Sequence, residues 1–458
     1  MRSSLAWVTD PRGGRTVAVI VAIVAALATP ALLAQTAAAS RAASPCPQGV
    51  AAGSRCVTGR DSEGAYYWLV VPPAWNGTLV VHAHGGPELG TPKAGRAAED
   101  LQRWSIWSRA GFAYAGSGYR QGGVAVTSAA EDTERVRHLF VAEFGAPRRT
   151  VLHGQSWGAG VAAKAAELYG DGAGNGGKRP YDGVLLTSGV LGGGTASYDF
   201  RLDLRVVYEA VCANHPLPDE AQYPLWQGLP LDAKLTRAQL AAQVDECTGV
   251  RARPEARSAA QQRNLETITR VVRIPERTLI SHLDWATWDF QDIAFVRLGG
   301  RNAFGNVGVR YRGSPDDEAL NAKVARYAAD PAAQAAFAAD AGLQGRIVVP
   351  VLTLHAIDDP TAFVELESTF RDTMARGGSA ERLVQVYGDD HSHSYLADAE
   401  YVAAIRSLLD WVEQGVRPTA QGIAARCAAL EPVFEPTQGC RFKPEFVPQP
   451  LAARVPPR

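Results

Sequence analysis

The stretch that most limits how this chain can fold is Gly154-Gln155-Ser156-Trp157-Gly158. A run with β-branched character, Thr150-Val151-Leu152, leads into it, and an Ala-rich run, Val161 to Leu168, leaves it. A serine between two glycines at a strand-to-helix junction describes a sharp turn that lifts the hydroxyl into a cleft. The glycines have a steric reason, because a side chain at either place would collide with the crowded turn. The pattern alone is weak: with 45 glycines in 458 residues, roughly one such chain in four would carry it by chance. Its weight depends on the strand before it, the helix after it and the partners a serine needs.

The order of elements supplies the first two. Ala65 to Val71 reads as a strand stopped by Pro72-Pro73, and Thr78 to His84 as a second, buried because its apolar residues hardly alternate. Asn76-Gly77-Thr78 between them matches a glycosylation acceptor, but Asn-Gly at a tight turn reads as turn chemistry first. A helix is expected over 97–109, a strand over 111–116 and an amphipathic helix over 130–144. The serine turn follows, with a helix over 159–169 and a strand over 183–187. Such alternation implies βαβ units and a mostly parallel sheet, with functional loops at the strands' C-terminal ends. From Gly189 to about Gly345 the rhythm breaks into helix-like runs with several tryptophans, which reads as an inserted, mostly helical cap. It resumes with Ile347 to His355, a helix over 363–374, a strand over 382–387 and a helix over 400–413. The expected organisation is therefore residues 45–188 and 346–414 as two parts of one α/β core. Residues 189–345 form the cap, and 415–458 a tail with too little periodicity to be a domain.

Residues 1–39 read as a secretory signal peptide. Arg2, Arg12 and Arg15 precede the apolar run Val17 to Ala28, and a small-residue stretch with Ala37-Ala38-Ala39 follows. The run is short for a membrane span, and Thr29-Pro30 interrupts it. All six cysteines, Cys46, Cys56, Cys212, Cys247, Cys427 and Cys440, lie beyond this segment, as suits an exported protein that keeps disulfides. Neighbour pairing, 46–56, 212–247 and 427–440, would staple one local segment each. The expected location is secreted or periplasmic, with no membrane contact after signal removal. A net charge of −1 without a basic block makes nucleic acid an unexpected partner. The oligomeric state is not legible.

A nucleophilic serine needs a base, an acid to orient the base, and donors for the oxyanion. Candidates for both lie after the serine in the chain. Asp358 and Asp359 follow a late strand, in Leu354-His355-Ala356-Ile357-Asp358-Asp359-Pro360, although Asp-Pro is also common helix-start chemistry. Two histidines, His391 and His393, follow the next strand. His84-Gly85-Gly86-Pro87 closes the early strand, where paired glycines let backbone approach a substrate oxygen. A zinc site built on His82-x-His84 or His391-x-His393 is the weaker alternative, because the serine constellation is fuller. No metal and no cofactor is expected.

With these residues in this order the chain resembles the α/β-hydrolase superfamily over about 66–188 and 347–414. The resemblance implies an α/β fold with a mostly parallel central sheet and a helical cap. It favours Asp359, just before proline, as the acid. His393-Ser394-Tyr395-Leu396-Ala397-Asp398-Ala399-Glu400 is similar to the His-Cys-x-Phe-Thr-x-x-Glu passage of some secreted members, which favours His393 as the base. It implies Ser156 as nucleophile and the amides of Gly86 and Trp157 as the oxyanion hole. His-Gly-Gly-Pro with Gly-x-Ser-Trp-Gly is similar to the proline iminopeptidase group, although the similarity does not extend through the cap. The expectation is a serine hydrolase of small or oligomeric carboxylic esters, with an iminopeptidase-like aminopeptidase as the alternative. Trp226, Trp285, Trp288, Tyr208 and Tyr223 in the cap suit apolar or aryl substrates, and equally suit a cap core.

Overall fold

The computed structural model describes residues 40–434 and 439–458; the expected signal peptide lies outside them. Among the described residues nine strands form one sheet. They are β1 (Ser40–Ala43), β2 (Arg55–Arg60), β3 (Tyr66–Val71), β4 (Thr78–Ala83), β5 (Ala113–Ser117), β6 (Arg149–Gln155), β7 (Gly183–Thr187), β8 (Val351–Ala356) and β9 (Leu383–Gly388). Their spatial order is β1-β2-β3-β5-β4-β6-β7-β8-β9. The first three pairings are antiparallel, and every pairing from β5 to β9 is parallel. This is the α/β-hydrolase fold that the sequence implies. The chain steps from β4 to β5 on one side, then returns to β6 on the other. A crevice opens at such a reversal, above the strands' C-terminal ends.

Burial on both faces explains the near-continuous apolar strands. All six residues of β4 are buried, as are all six of β8. Successive side chains go to opposite layers. Leu79 and Val81 join one core with Val136, Phe140 and Ala162, while Val80 joins the other with Leu101, Trp104 and Trp107. Helices α1 (Ala94–Arg103) and α2 (Ile106–Arg109) replace the single expected helix over 97–109, with a break at Trp104 and Ser105. Helix α3 (Val126–Phe144) begins four residues before the expected start. Its first N–H groups, of Val126 and Thr127, donate to the carboxylate of Asp340 at 3.0 and 2.9 Å. A cap brought from so far along the chain leaves no local pattern. Helix α4 (Trp157–Tyr169) starts at the residue after the serine.

Between β7 and β8 run α5 (Asp199–Cys212), α6 (Arg237–Thr248), α7 (Ala259–Val272), α8 (Leu279–Gln291), α9 (Asp317–Lys323) and α10 (Pro331–Ala341). Local chemistry starts several of them. Thr236 with Gln239 and Ser258 with Gln261 form capping boxes, and Asp330 caps α10 ahead of Pro331. Strand β8 begins at Val351 because Pro350 has no N–H for the ladder, although its carbonyl still accepts from Val184 at 2.9 Å. Helices α11 (Leu366–Arg376) and α12 (Asp398–Gln414) flank β9 in sequence. The tail carries an unexpected helix, α13 (Ala420–Phe434), whose Ile423 and Cys427 are fully buried. Two buried positions in fifteen give too thin a stripe to read as amphipathic. Disulfides join Cys46 to Cys56, Cys212 to Cys247 and Cys427 to Cys440. Among the described residues no helix is long and apolar enough to cross a membrane.

Candidate active site

Strand β6 delivers Ser156 into a backbone conformation that few residues adopt, φ 57° and ψ −124°. The turn is held by close approach. A Cβ on Gly154 would lie 2.3 Å from Gly158 O and 2.6 Å from Ala162 Cβ. One on Gly158 would lie 2.2 Å from Ala83 O and 2.4 Å from His84 O. The first pair lets α4 fold back on β6, and the second lets it press against the end of β4. Ser156 N–H donates to Thr187 O at 2.9 Å, and Ser156 O accepts from Val190 N–H at 3.0 Å. The serine is thus pinned to the end of β7.

Its hydroxyl donates to His393 Nε2 at 2.8 Å, and His393 Nδ1–H donates to Asp359 Oδ2 at 2.8 Å. Asp359 is fully buried at its side chain, whereas His393 is one-fifth exposed. Asp359 Oδ1 also accepts from Thr361 N–H at 2.8 Å and Ala362 N–H at 2.9 Å. The turn chemistry of Asp-Pro and a partnership with histidine therefore reside in one carboxylate. Asp358 and His391 go elsewhere. They pair with each other at 3.1 Å on the surface, both well exposed.

Burial alone would raise the Asp359 pKa. The charge of His393 and hydrogen bonds from His355 and His393 outweigh it and hold the carboxyl at about 2. His355 comes from β8, and its sequence context suggested no role. Its Nε2 donates to Ala362 O at 2.8 Å and lies 3.5 Å from Asp359 Oδ2, while Nδ1–H donates to Glu367 Oε1 at 3.0 Å. Burial opposes its charge, but hydrogen bonds to Asp359 and Glu367 win and raise its pKa to about 10. Glu367 is held in turn by Thr353 Oγ1–H at 2.7 Å and Gln385 Nε2–H at 2.6 Å. A polar chain thus runs from Ser156 through His393, Asp359 and His355 to Glu367. The sequence signal for it was a glutamate on the inward face of α11, where an apolar residue is the usual occupant.

The histidine loop is tied to the serine turn from below. Gln155 Nε2–H donates to Ser394 Oγ at 2.5 Å, and Arg103 donates to Ser394 O at 2.6 Å and Gln155 Oε1 at 3.2 Å. Against the same turn stands Gly85-Gly86. A Cβ on Gly85 would meet Gln155 Oε1 at 2.5 Å, and Gly86 has φ +74°. Arg96 donates to Gly85 O at 2.7 Å and steadies this loop. Trp157 is the first residue of α4, so its N–H belongs to the turn that has no intrahelical acceptor. His82 and His84 have separate partners: His82 shares a 2.8 Å contact with His153 in the core, and His84 donates to Gly85 O at 2.9 Å. Of the cap aromatics, Tyr208 is fully buried, while Trp285 stacks on Tyr198 at 4.8 Å. Tyr198 stands beside Trp157.

No family model matches the chain, and no curated protein matches it. Solved structures do resemble it. A point variant of the rice cell wall degrading esterase LipA from Xanthomonas oryzae is 13% identical, with a TM-score of 0.40 over 78% of this chain and 91% of that one. Feruloyl esterase B from Aspergillus oryzae is 12% identical, with a TM-score of 0.37 over 84% of this chain and 88% of that one. Puromycin hydrolase is 15% identical, with a TM-score of 0.35 over 78% of this chain and 38% of that one. Likeness at this level transfers no substrate and no residue role.

Proposed function

We propose that this α/β-hydrolase-fold chain is an exported serine hydrolase of carboxylic esters. The observation that carries the reading is the pair of 2.8 Å hydrogen bonds joining Ser156, His393 and Asp359. Ser156 Oγ attacks the acyl carbon while His393 Nε2 takes its proton. The imidazolium formed is stabilised by Asp359, which is ionised across the neutral range. Negative charge gathers on the former carbonyl oxygen, between the N–H groups of Trp157 and Gly86 at the positive end of α4. When the tetrahedral intermediate collapses, the C–O bond to the alcohol breaks and His393 returns the proton to the leaving oxygen. His393 then deprotonates water, which attacks the acyl-enzyme and releases the acid and Ser156. Esters are favoured because an alkoxide is easier to expel than an amide nitrogen. The three disulfides support export.

Aryl esters and aminoacyl-naphthylamides, assayed on the mature protein with Ser156→Ala as control, test this. Ester turnover that vanishes in the variant is expected. Amide turnover with negligible ester turnover would replace the ester reading by the aminopeptidase one. Failure of a fluorophosphonate to label Ser156 would overturn both.

A further inference from the structure

Arg201, in the first turn of α5, is only 4% exposed. Its guanidinium lies 4.1 Å from the ring centre of Trp285 and 4.5 Å from that of Phe200, with Tyr198 at 5.8 Å. Aromatic rings can satisfy the flat faces of a guanidinium, but its N–H groups point outward in the plane and need acceptors. Among the described residues the Arg201 side chain makes no hydrogen bond, and no carboxylate reaches it at salt-bridge distance. Its Nε is buried without a partner. Burial lowers the guanidinium to about 10, which leaves it charged at neutral pH.

The surroundings join this cation to the reaction centre from two sides. Tyr198, stacked on the same Trp285, stands beside Trp157, the residue after the nucleophile. His282 packs edge-on against Phe200 at 5.2 Å and donates to Pro360 O, next to Asp359, at 3.0 Å. It lies within electrostatic reach of Arg201, Asp359 and His393 together. The nearest acid that feels Arg201 on α8 is Asp289, itself 5% exposed with an unpartnered Oδ1. Burial pushes its carboxyl well above the usual range despite the pull of Arg201, and although the two groups feel each other's charge they do not meet at salt-bridge distance.

A buried cation normally has a charged or hydrogen-bonding partner, and Arg201, joined to the reaction centre through Tyr198 and His282, has no carboxylate at salt-bridge distance to supply one. We infer that Arg201 binds a carboxylate of the substrate, so that the ester cleaved here carries a free carboxylate group. The inference rests on the serine-hydrolase reading and adds to it the charge of the substrate. The alternative, a cation held only by ring stacking and a solvent bridge to Asp289, predicts no preference for anionic esters.

The test compares para-nitrophenyl butyrate with para-nitrophenyl hydrogen glutarate, charged on the acyl side, and para-carbamoylphenyl butyrate with para-carboxyphenyl butyrate, charged on the leaving group. For one of the charged esters kcat/KM should exceed that of its neutral counterpart by about 10-fold or more, chiefly through KM. Arg201→Gln should erase that ratio and Arg201→Lys should retain part of it. A wild-type preference for neutral esters, or a ratio unchanged by Arg201→Gln, overturns the inference while leaving ester hydrolysis in place. Should Arg201→Gln fail to fold, fluorophosphonate labelling of wild-type Ser156 decides. Glutarate should slow it and the uncharged glutaramide should not; equal effects overturn the inference. Absence of any Ser156 adduct together with absent ester turnover overturns the serine reading and this inference with it.

Discussion

Gly158→Ala changes no atom of the proposed chemistry, yet the geometry requires it to disable the site. The added Cβ would fall 2.2 Å from Ala83 O and 2.4 Å from His84 O, where Cβ contacts are ordinary only beyond 3.4 Å. Both obstacles are backbone, so neither can swing away. Helix α4 and the end of β4 must therefore separate by roughly 1 Å, a displacement that at a reaction centre costs on the order of 10²-fold in rate. Overpacking of this kind also destabilises by about 1–3 kcal/mol. The rate should suffer more than the fold, because Ser156 and Trp157 lie on one side of the contact and Gly85-Gly86 on the other. Gly160→Ala is the internal control. Its Cβ would stand 3.2 Å from Val190 O, a clash of a few tenths of an ångström, offset by the roughly 1 kcal/mol that alanine gains over glycine inside a helix. Gly154→Ala, at 2.3 Å from Gly158 O, should resemble Gly158→Ala. Urea midpoints, kcat/KM on an aryl ester and the rate of fluorophosphonate labelling, measured on all three, give the ranking. A Gly158→Ala protein with wild-type midpoint and labelling rate would refute the steric account of the motif.

Other outcomes follow from the same site. Asp359→Asn should lower kcat by about 10³- to 10⁴-fold by removing the carboxylate that orients and stabilises His393, whereas Asp358→Asn, paired with His391 in solvent, should leave steady-state rates near wild type. The pH dependence of urea unfolding should carry two signatures. His355 has its folded pKa raised to about 10, so its contribution is full below its unfolded value of about 6.5 and declines as pH rises from there to about 10. Asp359, held at about 2, contributes fully above about 4 and loses that contribution as pH falls toward 2. His355→Gln should flatten the alkaline limb, and an unchanged limb would remove His355 as its source. Replacing both Cys212 and Cys247 by serine frees a loop of sequence separation 35 and should cost about 4 kcal/mol on the chain-entropy account, read as a lower thermal midpoint than the wild type's.

Much of this was legible because it is encoded locally. Thr150 to Leu152, Ser156 and the flanking glycines announce a strand, a strained turn and a helix within a dozen residues. Each requirement there is a φ angle, a missing Cβ or a hydrophobic period. The neighbour disulfides were legible for a similar reason, since each closes a short segment. The early start of α3 was not, because Asp340 supplies its cap from the inserted helices. Nor was α13, whose buried stripe is two residues wide. The edge strands β1 and β2 have no counterpart among the strands expected from the sequence; β2 takes its register from β3, and β1 from β2.

The sequence by itself determined the sheet's parallel centre, the place of Ser156 and the order in which an acid and a base follow it. It narrowed the partners to two aspartates and two histidines. Which of them stand together only the tertiary structure shows. Asp359 and His393 meet in the interior beside the serine, while Asp358 and His391 meet in solvent. Tertiary structure also placed His355 and Glu367 behind Asp359 and buried Arg201 among rings with an unpartnered Nε. The physical reason is the same throughout. Backbone conformation and hydrophobic period are properties of neighbours along the chain, but the worth of a charge depends on burial and on the distance to another charge, which only the folded chain sets.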